Sequence, residues 1–353
     1  MVSIINLPHE VVVKIFKNLT PGETSSVIDK LKSDDTNHTR YVDLLIRLLY
    51  QRLFNGKLMI INEEPNQSFE YDTLLTIDSF EERFAVENYE NLLFQEIRPN
   101  YVEIKFTRQV NDYNNFINNL YKFYNLLSRS DDEEDVRLLK YFETKILQLN
   151  FYTDGNLVLI ENPTSLSTII IKILINLANN KNLTFKMMQF TIKSTDVGKL
   201  YISQWSQLLK KFVNLEMLDL SNNIICSDYE ESTDVIATSF KLPLKLKTLI
   251  LDHNVLRYVS RAMIQNLPKT LEVLSLNNNK ITRVEYFPMA VELPNLRSLR
   301  LNFNTRLAHL DPKIFEDHGN KTFTLQVRGT CLDDITIQRL RRVAKAHNFW
   351  LHV

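Results

Sequence analysis

The chain has 353 residues, 44% of them hydrophobic, which is an ordinary composition for a globular protein. Its 42 basic residues balance its 42 acidic residues, so neither nucleic acid nor a membrane surface is expected as a direct partner. The six glycines are scattered, which excludes a phosphate-binding loop. The two cysteines are far apart, which excludes a zinc cluster, and the common hydrolase motifs HExxH and GxSxG are absent. We therefore expect no enzyme, no metal and no cofactor.

Residues 7–19, LPHEVVVKIFKNL, have the pattern of a short amphipathic helix. Pro8 suits the first helical position, which needs no N–H, and Glu10 lies in the first turn, where the helix dipole favours a carboxylate. The apolar residues that follow at helical spacing are Val11, Val12, Ile15, Phe16 and Leu19. Such a face either caps the protein's own core or is buried in another protein.

Residues 56–186 carry a weaker pattern. The segments KLMIIN (57–62), YVEIKFT (101–107) and KILQLNF (145–151) are predicted strands about 40 residues apart, separated by helical segments. They form either irregular repeats or a separate helical domain.

From residue 187 the chain is repetitive. Four segments, LEMLDLSNN, LKTLILDHN, LEVLSLNNN and LRSLRLNFN, begin at residues 215, 246, 271 and 296 and each match LxxLxLxxN. Four matches at a nearly constant period are typical of leucine-rich repeats, an α/β solenoid or horseshoe in which stacked strands share one core. MMQFTIKST (187–195) and FTLQVRGT (323–330) are predicted flanking strands, and the helix and strand after residue 332 are predicted to form the closing cap.

In each repeat, the residues that alternate with the buried leucines point to the opposite face of the sheet, the concave face. These side chains are mixed in polarity and are predicted to bind a protein substrate. They are Met217, Asp219, Ser221, Thr248, Ile250, Asp252, Val273, Ser275, Asn277, Ser298, Arg300 and Asn302.

The opening helix resembles the start of an F-box, which has Leu-Pro, an acidic residue, an aliphatic residue, and then Ile-Phe followed by Leu. The matching positions are Leu7, Pro8, Glu10, Val11, Ile15, Phe16 and Leu19. The resemblance implies that residues 1–55 dock onto a Skp-type adaptor and, through it, a cullin ubiquitin ligase. Residues 56–186 and the solenoid of residues 187–353 then follow, and the solenoid holds the substrate.

Other interpretations remain open at this stage. Residues 7–19 can be a cap of the solenoid, or the protein can be a scaffold that uses the same helices without degradation. A regulator of a GTPase, with Arg300 as its exposed arginine, is a further alternative. The start of the chain lacks the basic region of a signal peptide, so we expect a cytoplasmic or nuclear protein.

Overall fold

A computed structural model of the chain describes residues 8–19, 23, 26, 27, 30, 57–61, 73–76, 101–108, 113–128, 144–153, 163–194, 208–223, 225, 242–317 and 322–353. The helices are α1 (His9–Lys17), α2 (Tyr113–Ser128), α3 (Pro163–Asn179), α4 (Lys181–Lys186), α5 (Arg261–Gln265), α6 (Met289–Glu292) and α7 (Asp334–His347), with a 3-10 helix at Pro312–Phe315. Among these residues, no helix is long and apolar enough to cross a membrane.

Within the described residues, the main sheet has eleven parallel strands. These are β1 (Lys57–Ile61), β2 (Thr73–Thr76), β3 (Tyr101–Arg108), β4 (Ile146–Thr153), β5 (Gln189–Ser194), β6 (Met217–Asp219), β7 (Thr248–Ile250), β9 (Val273–Ser275), β11 (Ser298–Arg300), β13 (Thr324–Gln326) and β14 (Trp350–His352). A second sheet of three short parallel strands contains β8 (Tyr258–Val259), β10 (Arg283–Val284) and β12 (His309–Leu310). The predicted strands near residues 57, 101, 145, 187 and 323 are confirmed.

The strands of the main sheet follow chain order from β3 to β14, as expected for a solenoid. The exception is at the other end, where β2 pairs with the outer side of β1 and the order is β2-β1-β3. The sequence pattern does not predict β2. Ile60 and Ile61 of β1 are both buried, although neighbouring residues of a strand point to opposite faces, so β1 is covered on both faces.

Buried leucines explain why the repeats stack. In each regular repeat the central strand residue and the residue two positions later point into the same core, because side chains alternate along a strand. These leucines form two rows, and all of them are at most 3% exposed. The first row contains Leu218, Leu249, Leu274 and Leu299, and the second contains Leu220, Leu251, Leu276 and Leu301. Helices α2 and α3 bury their apolar faces, including Phe116 and Ile173, in the same core cluster. One continuous core therefore runs through the irregular and the regular turns.

The asparagine that ends each repeat links neighbouring turns. Asn279 is typical, because its amide donates to the carbonyl of Leu251 in the preceding turn at 2.9 Å and to that of Leu276 in its own turn at 3.1 Å. Its Oδ1 accepts from the N–H of Leu256 at 3.1 Å. Asn254 and Asn304 repeat this arrangement, and all three are buried. The fixed register of the asparagines thus has a structural cause.

The residue before each of these asparagines has a left-handed backbone. Asn222, His253, Asn278 and Phe303 have φ between 54° and 57°, and Gly329 follows in the next turn at 64°. Asparagine and glycine tolerate this conformation, but it is unusual for a bulky residue such as phenylalanine. The ring of Phe303 covers Gly329, where an added Cβ would lie 2.8 Å from Cδ1 of Phe303.

The helix and the last strand predicted after residue 332 are both present. Helix α7 is capped at its N-terminus by Asp333, whose carboxylate accepts from the N–H of Thr336 at 2.7 Å, and it buries Leu340 and Ala344. The rings of Phe315, Phe323 and Phe349 pack together below it, with centroids 5.4–5.9 Å apart. These aromatic contacts close the core at the last turn.

Helix α1 differs in detail from the prediction. Pro8 occupies the N-cap, with an extended backbone, and not the first helical position. The predicted single apolar face is divided between two directions. Val12 and Phe16 are 0% and 3% exposed and belong to the core cluster, whereas Val11 and Ile15 are 39% and 38% exposed.

Candidate functional site

The strand pairing aligns the predicted concave residues in rows across the sheet. Met217, Thr248, Val273 and Ser298 occupy equivalent positions in adjacent strands, and all four are half-buried. The next row contains Ile250 and Arg300, which are also half-buried. Two aliphatic side chains, Ile250 and Val273, therefore lie among polar ones near the middle of the face.

Three of the predicted substrate-binding residues are buried, and the expectation that their side chains are accessible is corrected. Ser275 is 0% exposed, and its hydroxyl donates to Oδ1 of Asp252 at 2.7 Å. Asp219 is 6% exposed, accepting from the N–H of Ser221 at 2.9 Å and lying 3.4 Å from the amine of Lys193. Ser221 is 5% exposed.

Polar side chains just after the strands form a lateral chain of hydrogen bonds. Asp252 accepts from the backbone and side-chain amides of Asn277 at 2.7 and 3.1 Å. Asn277 in turn accepts from the N–H of Asn302 at 2.9 Å. Asn302 donates to Gln326 at 2.9 Å and accepts from the N–H of Arg328 at 3.0 Å. These side chains are held in place across four turns before any partner binds.

Arg300, the arginine that the GTPase-regulator alternative needs, lies half-buried beside this chain. Its Nε donates to the hydroxyl of Ser298 at 3.3 Å, so the guanidinium is held along the sheet.

The concave face extends further toward the N-terminus than the four LxxLxLxxN segments predict. On β3, Glu103 is 7% exposed and accepts from the amide of Asn150 on β4 at 2.6 Å. The hydroxyl of Tyr101 donates to Gln148 and to Glu103. The alternation Tyr-Val-Glu-Ile-Lys in β3 is the signal that could have found this cluster, because Tyr101, Glu103 and Lys105 share one face of the strand.

At the edge where the strands begin, opposite charges pair between turns. The amine of Lys247 lies 2.9 Å from the carboxylate of Glu216, and this hydrogen bond and charge raise the pKa of Lys247. Arg297 lies 3.5 Å from Glu272 in the following turns. These exposed ion pairs connect neighbouring turns, and pairs of this kind contribute little to stability.

The residues predicted to bind the adaptor do not share one surface. Pro8, Val11 and Ile15 are exposed, Leu19 is half-buried and Phe16 is buried. Leu7 and the side chain of Glu10 lie outside the described residues. Phe16 is therefore inaccessible to an adaptor while α1 is packed on the core. In the described part of the chain, no group of three or more His, Cys, Asp or Glu residues is placed to hold a metal ion.

Comparisons with known proteins identify the repeats. Residues 269–312, which contain β9, β11 and their two asparagines, match the family model for leucine-rich repeats in two copies. No F-box domain is detected. The human leucine-rich repeats and immunoglobulin-like domains protein 3 is 36% identical over 111 residues, which is 31% of this chain and 9% of that protein.

Among solved structures, a leucine-rich-repeat protein of Leptospira interrogans is 15% identical with a TM-score of 0.30, covering 62% of this chain and 45% of that one. The ectodomain of the Arabidopsis thaliana receptor kinase GASSHO1/SCHENGEN3, in complex with Casparian strip integrity factor 2, is 12% identical with a TM-score of 0.29, covering 71% and 31%. The Drosophila Toll–Spatzle complex is 13% identical with a TM-score of 0.31, covering 72% and 36%. The chain thus spans less than half the length of each of these proteins. Its repeats and its parallel sheet make its fold the leucine-rich-repeat solenoid.

Proposed function

We propose that the solenoid recognises a protein partner through its concave face. The observation that carries this proposal is the hydrogen-bonded chain from Asp252 through Asn277 to Asn302, because it fixes polar groups in advance and so reduces the entropy lost on binding. The half-buried aliphatic side chains of Ile250 and Val273 beside it supply an apolar centre with a polar surround, the usual anatomy of a protein interface.

The contact is tested by placing a photo-reactive side chain at Val273 and, as a matched control, at Ile335 on the exposed side of α7. We expect Val273 to cross-link to a defined protein and Ile335 not to. Arg300→Glu should abolish that cross-link, because Arg300 lies at the edge of the apolar centre. It should not lower the melting temperature, because the side chain of Arg300 is only half-buried. Equal cross-linking from both sites, or a product unaffected by Arg300→Glu, contradicts the proposal.

The finer proposal is that the protein is a substrate receptor of an SCF-type ubiquitin ligase, with α1 binding a Skp-type adaptor. Two features of the sequence support it, because residues 7–19 have an F-box-like pattern and the leucine-rich repeats follow that pattern along the chain. The structure adds a third, since Pro8, Val11 and Ile15 are exposed on one side of α1. Val12 and Phe16 then anchor the helix to the solenoid, while Val11 and Ile15 contact the adaptor. The ligase gains from this arrangement by proximity, which raises the effective concentration of substrate lysines.

Co-purification with a Skp-type adaptor tests this role. We expect the intact chain to retain the adaptor and a Val11→Asp/Ile15→Asp variant to lose it while keeping its melting temperature, because both side chains are exposed. Val291→Asp, at an aliphatic residue of α6 that is 60% exposed, is the control and should still bind. If the intact chain does not bind the adaptor, residues 7–19 are only a cap of the solenoid.

A scaffold without a degradative role differs in one measurable respect. It would hold the adaptor in a stable complex from which the cullin is absent, so the presence of the cullin in the purified complex separates the two functions.

A further inference from the structure

A stripe of exposed apolar side chains lies outside the concave face, on the segments that lead into three consecutive strands, namely the end of α4 and two tight turns. Phe185, Val213 and Leu244 are 64%, 50% and 81% exposed. Each is four residues before the first residue of its strand, and those first residues, Gln189, Met217 and Thr248, pair with one another. We call these three residues the turn stripe.

Hydrogen bonds between the turns keep the members of the turn stripe adjacent. The amide of Asn214 donates to the carbonyl oxygen of Phe185 at 2.7 Å, and the amine of Lys245 donates to Oδ1 of Asn214 at 2.6 Å. Since neighbouring parallel strands lie about 4.8 Å apart, the three side chains span about 10 Å along the edge of the solenoid.

Local structure gives no reason for apolar residues at these positions. Val213 and Leu244 each follow the first residue of a tight turn, closed by the bonds from Leu215 N to Phe212 O and from Leu246 N to Pro243 O at 3.1 and 3.2 Å. Polar residues, glycine and proline are preferred in exposed turns, and the same position in the next two repeats is indeed occupied by lysine and proline. Single exposed apolar residues are common, but three in one contiguous row are typical of an interaction site.

The described segments that carry the turn stripe are basic, apart from Glu216, which follows Val213 by three residues and pairs with Lys247. The turn segments 181–186, 208–214, 242–245 and 266–270 contain no carboxylate. They contain six lysines, namely Lys181, Lys186, Lys210, Lys211, Lys245 and Lys269. Lys211 and Lys245 donate to the neutral amides of Asn179 and Asn214, so these contacts leave their charge uncancelled.

We propose that the turn stripe binds an acidic amphipathic helix of a partner protein, at a second surface independent of the concave face. The dimensions fit, because residues seven apart on one side of an α-helix are separated by about 10.5 Å, close to the span of the stripe. The lysines around the stripe complement glutamates and aspartates on the flanks of such a helix.

A helix fits this stripe better than a bilayer does. The turn stripe is one side chain wide, because the residue directly before each of its members is buried. These preceding residues are Thr184, Phe212 and Pro243. A membrane surface is engaged by a broader apolar face than this one.

The test measures binding of the full chain to a labelled synthetic helix of about 18 residues, with leucine at every third or fourth position and glutamate elsewhere. We expect fluorescence anisotropy to show saturable binding that weakens as salt is raised from about 0.05 to 0.5 M, because salt screens the lysine–glutamate attraction. Phe185→Ser/Leu244→Ser should weaken binding at least about tenfold, a loss of about 1.4 kcal/mol. The control Val291→Ser/Ile335→Ser, which removes two other exposed apolar residues, should leave affinity unchanged.

Three results overturn the proposal. They are equal affinity of the Phe185→Ser/Leu244→Ser variant, absence of saturable binding by the intact chain, and binding only to vesicles of phosphatidylcholine with phosphatidylserine. Unchanged melting temperatures of both double variants establish that a loss of affinity is local. Because neither variant touches the concave face or α1, the outcome is independent of the cross-linking and adaptor experiments.

Discussion

Replacing Asn279 by alanine removes one rung of the buried asparagine ladder. Asn279 is 6% exposed, and its side chain bonds the carbonyl groups of Leu251 and Leu276 and the N–H of Leu256. The N–H of Leu256 is left without its acceptor, which costs about 1–3 kcal/mol, and each lost bond to a carbonyl adds about 0.5–1 kcal/mol. We therefore expect the free energy of unfolding to fall by about 2–5 kcal/mol.

The assay is equilibrium unfolding in urea followed by circular dichroism, with hydrogen exchange at Leu256 as a local readout. Asn278→Gly is the matched control, because Asn278 is the exposed neighbour and its backbone, at φ 54°, suits glycine. The Asn279→Ala variant should unfold at lower urea and its Leu256 amide should exchange faster, whereas the control should differ little from the original chain. If the two variants lie within about 0.5 kcal/mol of each other, the ladder does not carry the stability assigned to it.

Three further predictions concern backbone strain, a helix cap and the opening helix. Gly329→Ala should lower the free energy of unfolding by about 1–2 kcal/mol, because residue 329 has a left-handed backbone and the new Cβ meets the ring of Phe303; an unchanged urea midpoint would refute this. Hydrogen bonds from Thr336 hold the pKa of Asp333 below its usual value of about 3.9. Because the folded-state pKa is lowered, the contribution of Asp333 to stability is complete above pH 4 and is lost as the pH falls through the folded-state value. Asp333→Asn keeps a capping acceptor and should make the melting temperature less pH-dependent below about pH 4; identical slopes would argue against the cap. Phe16→Ala should cost about 3–5 kcal/mol in urea unfolding, since Phe16 is 3% exposed, and a loss below about 1 kcal/mol would mean that α1 is not packed on the core.

The regular half of the fold could be predicted from the sequence because each residue type in the repeat pattern has one structural role. The leucines of LxxLxLxxN are the buried rows, and the asparagine is the residue that bonds the preceding turn. Strands β1, β3 and β4 could also be predicted from alternation, whereas β2 could not. The position of β2 outside β1 could not be predicted either, because strand order depends on which edge the chain returns to, and alternation carries no information about that.

The binding surface could be predicted only in part. Alternation correctly places Thr248, Ile250 and Arg300 on one face of the sheet, but it does not reveal that Ser275 is covered. A small side chain that donates to a neighbouring aspartate lies below the surface that larger neighbours form. Similarly, helical spacing groups Val11 with Phe16, although the angle between them around α1 is large enough for one to be exposed and the other buried.

The two ends of the concave face are unequal, and this gives the face a direction. On β1, Ile61, which pairs with Lys105 on the concave side, is 5% exposed, whereas Trp350 on β14 is 70% exposed. An extended partner lying across the strands would therefore find a covered side chain at Ile61 and an exposed aromatic ring at Trp350, so the two sides of the face offer it different contacts.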